Sequence, residues 1–125
     1  MPGTASRPHH PGTVMLVEDL TAIRTLQRFL LHRSGLEVVE CADLPEAESA
    51  LSRFAPGVVV LDLNLPGGHG LNLLEHIDRS VTNVLVMSSM AQQHTIETSR
   101  VRGDAYLSKP FDPAVFVDTV QRLLP

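Results

Sequence analysis

Two hydrophobic periods alternate along this chain, and that alternation limits the folds open to it. Short apolar or β-branched runs, "TVMLV" (13–17), "LEVVE" (36–40), "VVVLD" (58–62), "NVLVMS" (83–88) and "DAYLS" (104–108), read as five strands. The segments between them carry helical spacing. Ile23, Leu26 and Leu30 form one stripe after Asp19, in a helix that stops at Gly35. "DLPE" opens the second helix, with Asp43 as cap, Glu46 three positions on and Pro45 in the first turn. Leu71, Leu74 and Ile77 mark a third helix, Ile96 and Val101 a weaker fourth, and "DPAVFVDTVQRLL" a fifth capped by Asp112 with Pro113 at its first position. Strand–helix alternation with short connections predicts an α/β fold: a doubly wound parallel sheet with right-handed crossovers and helices on both faces. Such a sheet explains why Val58 to Leu61 is apolar on both sides.

At 125 residues and 43% hydrophobic content, the chain suits a single domain with a real core. Residues 13–125 are expected to form it, and "MPGTASRPHHPG" (1–12) to precede it as a flexible polar tail in which His9 and His10 bind no metal. No apolar stretch approaches the roughly 18 residues that cross a bilayer, and the first twelve lack the apolar segment of a signal peptide, so a cytoplasmic protein without membrane contact is expected. The lone Cys41 excludes an internal disulfide and reads as a small buried hydrophobe. A net charge of -4 without a basic stripe argues against direct nucleic-acid binding.

In an open doubly wound sheet, ligands bind beyond the carboxyl ends of the strands. Those ends carry Glu18 and Asp19, Asp62, Ser88 and Lys109. Three carboxylates, a hydroxyl and an ammonium are therefore expected at one edge. Carboxylates about 5 Å apart repel by roughly 3 kcal/mol per pair at an effective dielectric of 20, so the cluster calls for a cation. A hard divalent ion such as Mg²⁺, with Mn²⁺ as an alternative, suits all-oxygen donors. With charge so neutralised, Asp62 is placed to act as a nucleophile toward phosphorus.

"VEDL" (17–20), "LDLNLPGGHG" (61–70), "VMSSM" (86–90) and "DAYLSKPF" (104–111) together resemble the receiver domains of two-component response regulators, over nearly the whole chain from Thr13 to Leu124. The resemblance implies a flavodoxin-like (βα)5 fold with strand order 2-1-3-4-5. It implies that Asp62 is the phosphoacceptor and Asp19 a direct Mg²⁺ ligand, that Glu18 acts on the ion through water, and that the Asn64 main-chain carbonyl is a further ligand. Ser88 corresponds to the switch hydroxyl, and Lys109 to the phosphate-contacting lysine before a cis proline, Pro110. Tyr106 reads equally as core or switch from its strand pattern, and the resemblance assigns it to the switch. Such a domain catalyses only its own phosphorylation and dephosphorylation. The implied partners are a bacterial sensor histidine kinase or histidine phosphotransfer protein. The implied output is a changed surface of the fourth helix, fifth strand and fifth helix, which here includes Arg100, Arg102, Asp104, Asp118 and Arg122 and suits homodimer or effector contact.

Departures from the family pattern are mild: Glu18 where aspartate is also frequent, Ser88 in place of threonine, and Gly68 where a bulkier residue often sits. Asn64 and Met90 flank the site at positions that tune dephosphorylation in the family. His69 reads as a solvated loop residue, and Ser89 as a less favoured alternative to Ser88. A haloacid-dehalogenase-type phosphohydrolase would carry a second Asp two positions after its nucleophile, where this chain has Asn64. A flavin binder would place a phosphate loop where "VEDL" puts two acids. A degenerate receiver acting only as a binding module is the remaining rival.

Overall fold

The computed structural model describes residues 7–65, 70–89 and 103–125. The fourth helix expected around Ile96 and Val101, together with Gly68, His69, Met90, Arg100 and Arg102, lies outside the described residues. The elements run β1 (His9–Val17), α1 (Thr21–Arg33), β2 (Glu37–Cys41), α2 (Leu44–Arg53), β3 (Ala55–Asp62), a 3-10 helix (Gly70–His76), β4 (Asn83–Ser88), β5 (Ala105–Ser108) and a C-terminal helix (Pro113–Leu123). The five strands form one sheet in the order β2-β1-β3-β4-β5, and every neighbouring pair is parallel. This is the doubly wound, flavodoxin-like order that the resemblance implied.

Strand alternation splits the core into two layers. Met15, Val17, Val59, Leu61, Val84 and Val86 face α2 and the 3-10 helix, where Ala47, Leu51, Leu73 and Ile77 cover them. Val14, Leu16, Val58, Val60, Leu85 and Met87 face the other way, against Leu31, Phe116 and Val120. Every residue of β3 is buried, which is what apolarity on both faces required. Burying a Val or Leu side chain contributes roughly 1.5–3 kcal/mol, so the central strands dominate the stability of the domain.

Local chemistry sets the ends of the elements. The Asp43 carboxylate accepts the Glu46 N–H at 2.9 Å, and Glu46 returns a bond to the Ala42 N–H at 2.8 Å, one residue before the cap. Asp112 accepts from the Ala114 and Val115 N–H groups. At the end of α1 the Gly35 N–H reaches the His32 carbonyl and the Leu36 N–H reaches Leu31, a paired closure that needs a left-handed residue. Gly35 supplies it, at φ 80.

Three expectations change. β1 begins at His9, before Thr13: His9 pairs with Ala55 and His10 with Pro56, the Pro8 carbonyl accepts from Ala55, and Arg7 donates to the Leu51 carbonyl. These are main-chain and end-of-helix contacts that a polar, proline-bearing run gives no apolar signal for. Gly57 makes them possible, since a Cβ there would stand 2.0 Å from the Pro11 carbonyl oxygen. Second, α1 turns Gln27 and Leu31 fully inward with Ile23 and Leu30 half-buried, and leaves Leu26 43% exposed. Third, the segment from Gly70 winds as a 3-10 helix that buries Leu73, with Ile77 buried just past its end.

Candidate phosphoacceptor site

The carboxyl ends of β1, β3 and β4 and the residue just past β5 converge. Glu18 follows β1, Asp62 ends β3 and Ser88 ends β4; all three are at most 2% exposed. Glu18, Asp19 and Asp62 each offer a carboxylate oxygen, and these oxygens lie within 4.8 Å of one another. Lys109 reaches the same spot: its Nζ donates to Glu18 Oε1 at 2.7 Å and to Asp62 Oδ2 at 3.0 Å. Of the expected edge cluster, the three carboxylates and the ammonium are brought together.

Each group is held from its own loop. The Glu18 N–H donates to the Cys41 carbonyl at 3.1 Å, and its Oε2 accepts from the Leu20 N–H at 3.2 Å. Asp62 Oδ1 accepts from the Asn64 N–H at 3.0 Å, which turns the chain away from the strand immediately after the acid. Gly70 lies against the same backbone: a Cβ on it would sit 2.8 Å from the Asp62 carbonyl oxygen, so only glycine approaches it so closely. Lys109 is anchored through its N–H to the Ser88 carbonyl at 2.7 Å, and the Lys109–Pro110 peptide is cis.

Tyr106 projects outward, 42% exposed, and its hydroxyl accepts from the Gly103 N–H at 2.7 Å. Ser89 is half-buried beside Ser88. Cys41 is buried, and burial, with Glu46 and Asp43 adding, pushes its thiol up to about 11. It is an inert core residue.

Charge in the cluster is unbalanced, with three carboxylates against one ammonium. Burial pushes Glu18 up to about 7; the Lys109 hydrogen bond opposes the rise and Asp62 adds to it. Burial lowers the Lys109 pKa, but hydrogen bonds to Glu18 and Asp62 outweigh that and raise it above the ordinary lysine value. An all-oxygen donor set with excess negative charge fits a hard divalent cation held with water. Glu18, Asp19 and Asp62 are the residues that would hold one.

A raised carboxyl carries a stability consequence. Below pH 4.5 Glu18 is protonated in both the folded and the unfolded chain, and its favourable contribution is lost as the pH rises through about 7. Without metal, the domain is expected to lose on the order of 1–3 kcal/mol between pH 5 and pH 8 from this group. Urea unfolding in EDTA at the two pH values checks it, and Glu18→Gln should flatten the difference. An equal slope in that variant places the titration elsewhere.

Reading residues by type at strand ends missed Arg24. Its Nη1 donates to the Glu18 carbonyl at 2.9 Å and its Nε to Glu40 Oε1 at 3.2 Å. The one signal in the sequence was a cation in the first turn of a helix, where the helix dipole disfavours it.

The family model of the response regulator receiver domain matches residues 14–121. This chain belongs to that family. Among curated relatives, the receiver is 31% identical over 116 residues to the phosphate regulon transcriptional regulatory protein PhoB of Escherichia coli K12, covering 89% of this chain and 51% of PhoB. It is 34% identical over 116 residues to the transcriptional regulatory protein CseB of Streptomyces coelicolor, covering 89% and 48%. The receiver thus spans about half the length of the curated relatives it matches. Among solved structures, a response regulator receiver protein from Burkholderia phymatum superposes with a TM-score of 0.80 at 26% identity, covering 90% of this chain and 94% of that one. The receiver domain of the sensor histidine kinase PA1611 from Pseudomonas aeruginosa PAO1, with a magnesium ion coordinated in its active site cleft, superposes at 0.78 and 24% identity, covering 90% and 97%. As a receiver domain the chain is a signalling module of two-component systems and not an enzyme of the usual kind. Among the described residues no helix is long and apolar enough to cross a membrane.

Proposed function

We propose that this receiver accepts a phosphoryl group on Asp62 from a phosphohistidine of a sensor kinase or phosphotransfer protein, in a Mg²⁺-dependent reaction, and so switches its contact with an effector. The observation that carries this is Lys109 Nζ bridging Glu18 and Asp62 inside the acidic cluster. A half-buried ammonium tied to the nucleophile itself is placed for charge on a transferring phosphoryl group. Mg²⁺, when bound by Asp19 and Asp62 with Glu18 acting through water and the Asn64 carbonyl as a further donor, would neutralise phosphoryl oxygens.

The chain's own residues do the rest. An Asp62 carboxylate oxygen forms the new P–O bond as the P–N bond to the donor imidazole breaks, and the electron pair of that bond leaves with the imidazole. Lys109 exchanges a carboxylate contact for one to the phosphoryl oxygens. The Ser88 hydroxyl, buried at the end of β4 beside β3, donates to a phosphoryl oxygen, and drawing it inward frees space for Tyr106 to rotate from its exposed position. The surface so changed is that of the expected fourth helix, β5 and the C-terminal helix. There the exposed Asp118–Arg122 pair offers both signs of charge for self-pairing or an effector.

A small phosphodonor tests the reading without the cognate kinase. Incubated with acetyl phosphate and Mg²⁺, the protein should gain one base-labile phosphoryl group by intact mass, and none in EDTA. Absence of the adduct in Mg²⁺, with a known receiver labelled in parallel, would make this chain a binding module only.

A further inference from the structure

Helix α1 begins without the usual means of satisfying its first amides. Leu20 stands at the cap and provides no side-chain acceptor, and the first turn holds no acid. It holds Arg24 instead, the fourth helical residue, close to the positive end of the helix dipole where a cation is disfavoured. Two acceptors offset that. The guanidinium gives Nη1 to the main-chain carbonyl of Glu18 and Nε to the Glu40 carboxylate on β2, while the Arg24 N–H closes the first turn on the Leu20 carbonyl at 2.9 Å. Glu40 is shared with Arg28, whose Nε lies 3.3 Å from its other oxygen. Arg24 is well covered, its side chain 17% exposed, against 45% for Arg28.

We infer that Arg24 is a positioning residue for the metal-binding acids: it clamps the Glu18–Asp19–Leu20 turn between α1 and β2 so that Glu18 and Asp19 keep their places opposite Asp62. This rests on the functional reading of the acidic cluster but concerns a residue that touches none of its carboxylates. Among the described residues the turn's other ties are the Glu18 N–H to the Cys41 carbonyl, the Leu20 N–H to Glu18 Oε2 and the main-chain Arg24 N–H to the Leu20 carbonyl. With Arg24 removed, the Glu18 carbonyl loses its donor and the peptide that carries Asp19 is free to rotate. Groups that orient metal ligands from outside the coordination sphere typically affect affinity by 10–100-fold.

The test compares Arg24→Ala, Arg24→Lys and Glu40→Gln with the parent by calorimetric Mg²⁺ titration, and by hydrogen exchange of the Leu20 amide in EDTA. Arg24→Ala should weaken Mg²⁺ about tenfold and speed Leu20 exchange, while phosphorylation by acetyl phosphate regains the parent's maximum at raised Mg²⁺. Arg24→Lys, which reaches one acceptor at a time, should fall between. Glu40→Gln keeps the bond to the Glu18 carbonyl and should stay within about twofold of the parent. The inference is overturned if folded Arg24→Ala or Arg24→Lys binds Mg²⁺ like the parent, or if Glu40→Gln loses as much as Arg24→Ala, since general loosening of α1 on β2 would then be the cause. A parent that neither binds Mg²⁺ nor takes up phosphate would refute the functional reading separately, and unchanged Leu20 exchange would still refute the clamp.

Discussion

Asp62→Asn should take up no phosphoryl group from acetyl phosphate at any Mg²⁺ concentration, while folding as stably as the parent. An amide keeps the size of the buried side chain but only one acceptor oxygen: turned toward the Lys109 ammonium it keeps that partner and gives up the bond from the Asn64 N–H. It lacks a carboxylate lone pair of comparable nucleophilicity. The stability change has two opposing parts. One ion pair with Lys109 becomes a weaker hydrogen bond, and one of three carboxylates crowded within 4.8 Å disappears. Repulsion at that range is about 3 kcal/mol per pair at an effective dielectric of 20, so relief and loss are of similar size and the metal-free variant should match or exceed the parent. Intact mass and urea unfolding in EDTA read the two effects apart. An adduct at the parent's stoichiometry would move the acceptor to another side chain of the cluster, and a stability loss above about 2 kcal/mol would mean that the Asp62 charge is needed structurally.

Much of the sheet could be read from the chain because its strands are short, apolar and separated by helical periods. The caps at Asp43 and Asp112 and the left-handed Gly35 were legible too, since each depends on a local hydrogen bond or backbone angle tied to one residue type. Long-range order had two sources: the family resemblance for the strand order, and the carboxyl-edge rule for parallel sheets, which brings Glu18, Asp62 and Lys109 together without any local signal. The errors have a common origin in tertiary contacts. Nothing in "HHPG" announces a strand, because the first residues of β1 are exposed and contribute backbone pairing, with Gly57 on another strand supplying the room. In α1 a spacing rule prefers Leu26 to Gln27, yet the helix buries Gln27, whose amide finds no hydrogen-bond partner among the described residues. Leu31 and the Leu36 closure fix the rotation of the helix and carry Gln27 inward with them. Arg24 escaped for a related reason: its importance lies in a main-chain carbonyl, which no pattern of side chains reveals.

Lys109→Met should slow phosphorylation by about a hundredfold while leaving Mg²⁺ binding intact or tighter. Methionine matches the length of the stem and removes the cation. In the parent that ammonium sits 2.7 Å from Glu18 and 3.0 Å from Asp62, so it competes for the same oxygens as a divalent ion and its loss relieves the competition. Phosphoryl transfer, in contrast, loses a preorganised charge that no other described side chain replaces. Stability in EDTA separates this from a packing defect through its pH dependence. The raised Lys109 pKa means that its contribution is present below the unfolded value of 10.5 and is lost only at higher pH. The Glu18 carboxyl, with its pKa near 7, is largely protonated at pH 5 and ionised at pH 8, so the ammonium faces one buried anion fewer at the lower pH. The variant should therefore be weaker than the parent by on the order of 2 kcal/mol at pH 8 and by clearly less at pH 5. Equal losses at the two pH values would mean that Lys109 acts through its stem packing. A fall in Mg²⁺ affinity parallel to the fall in rate would mean that it holds the acids in place, and that the charge at phosphorus comes from elsewhere.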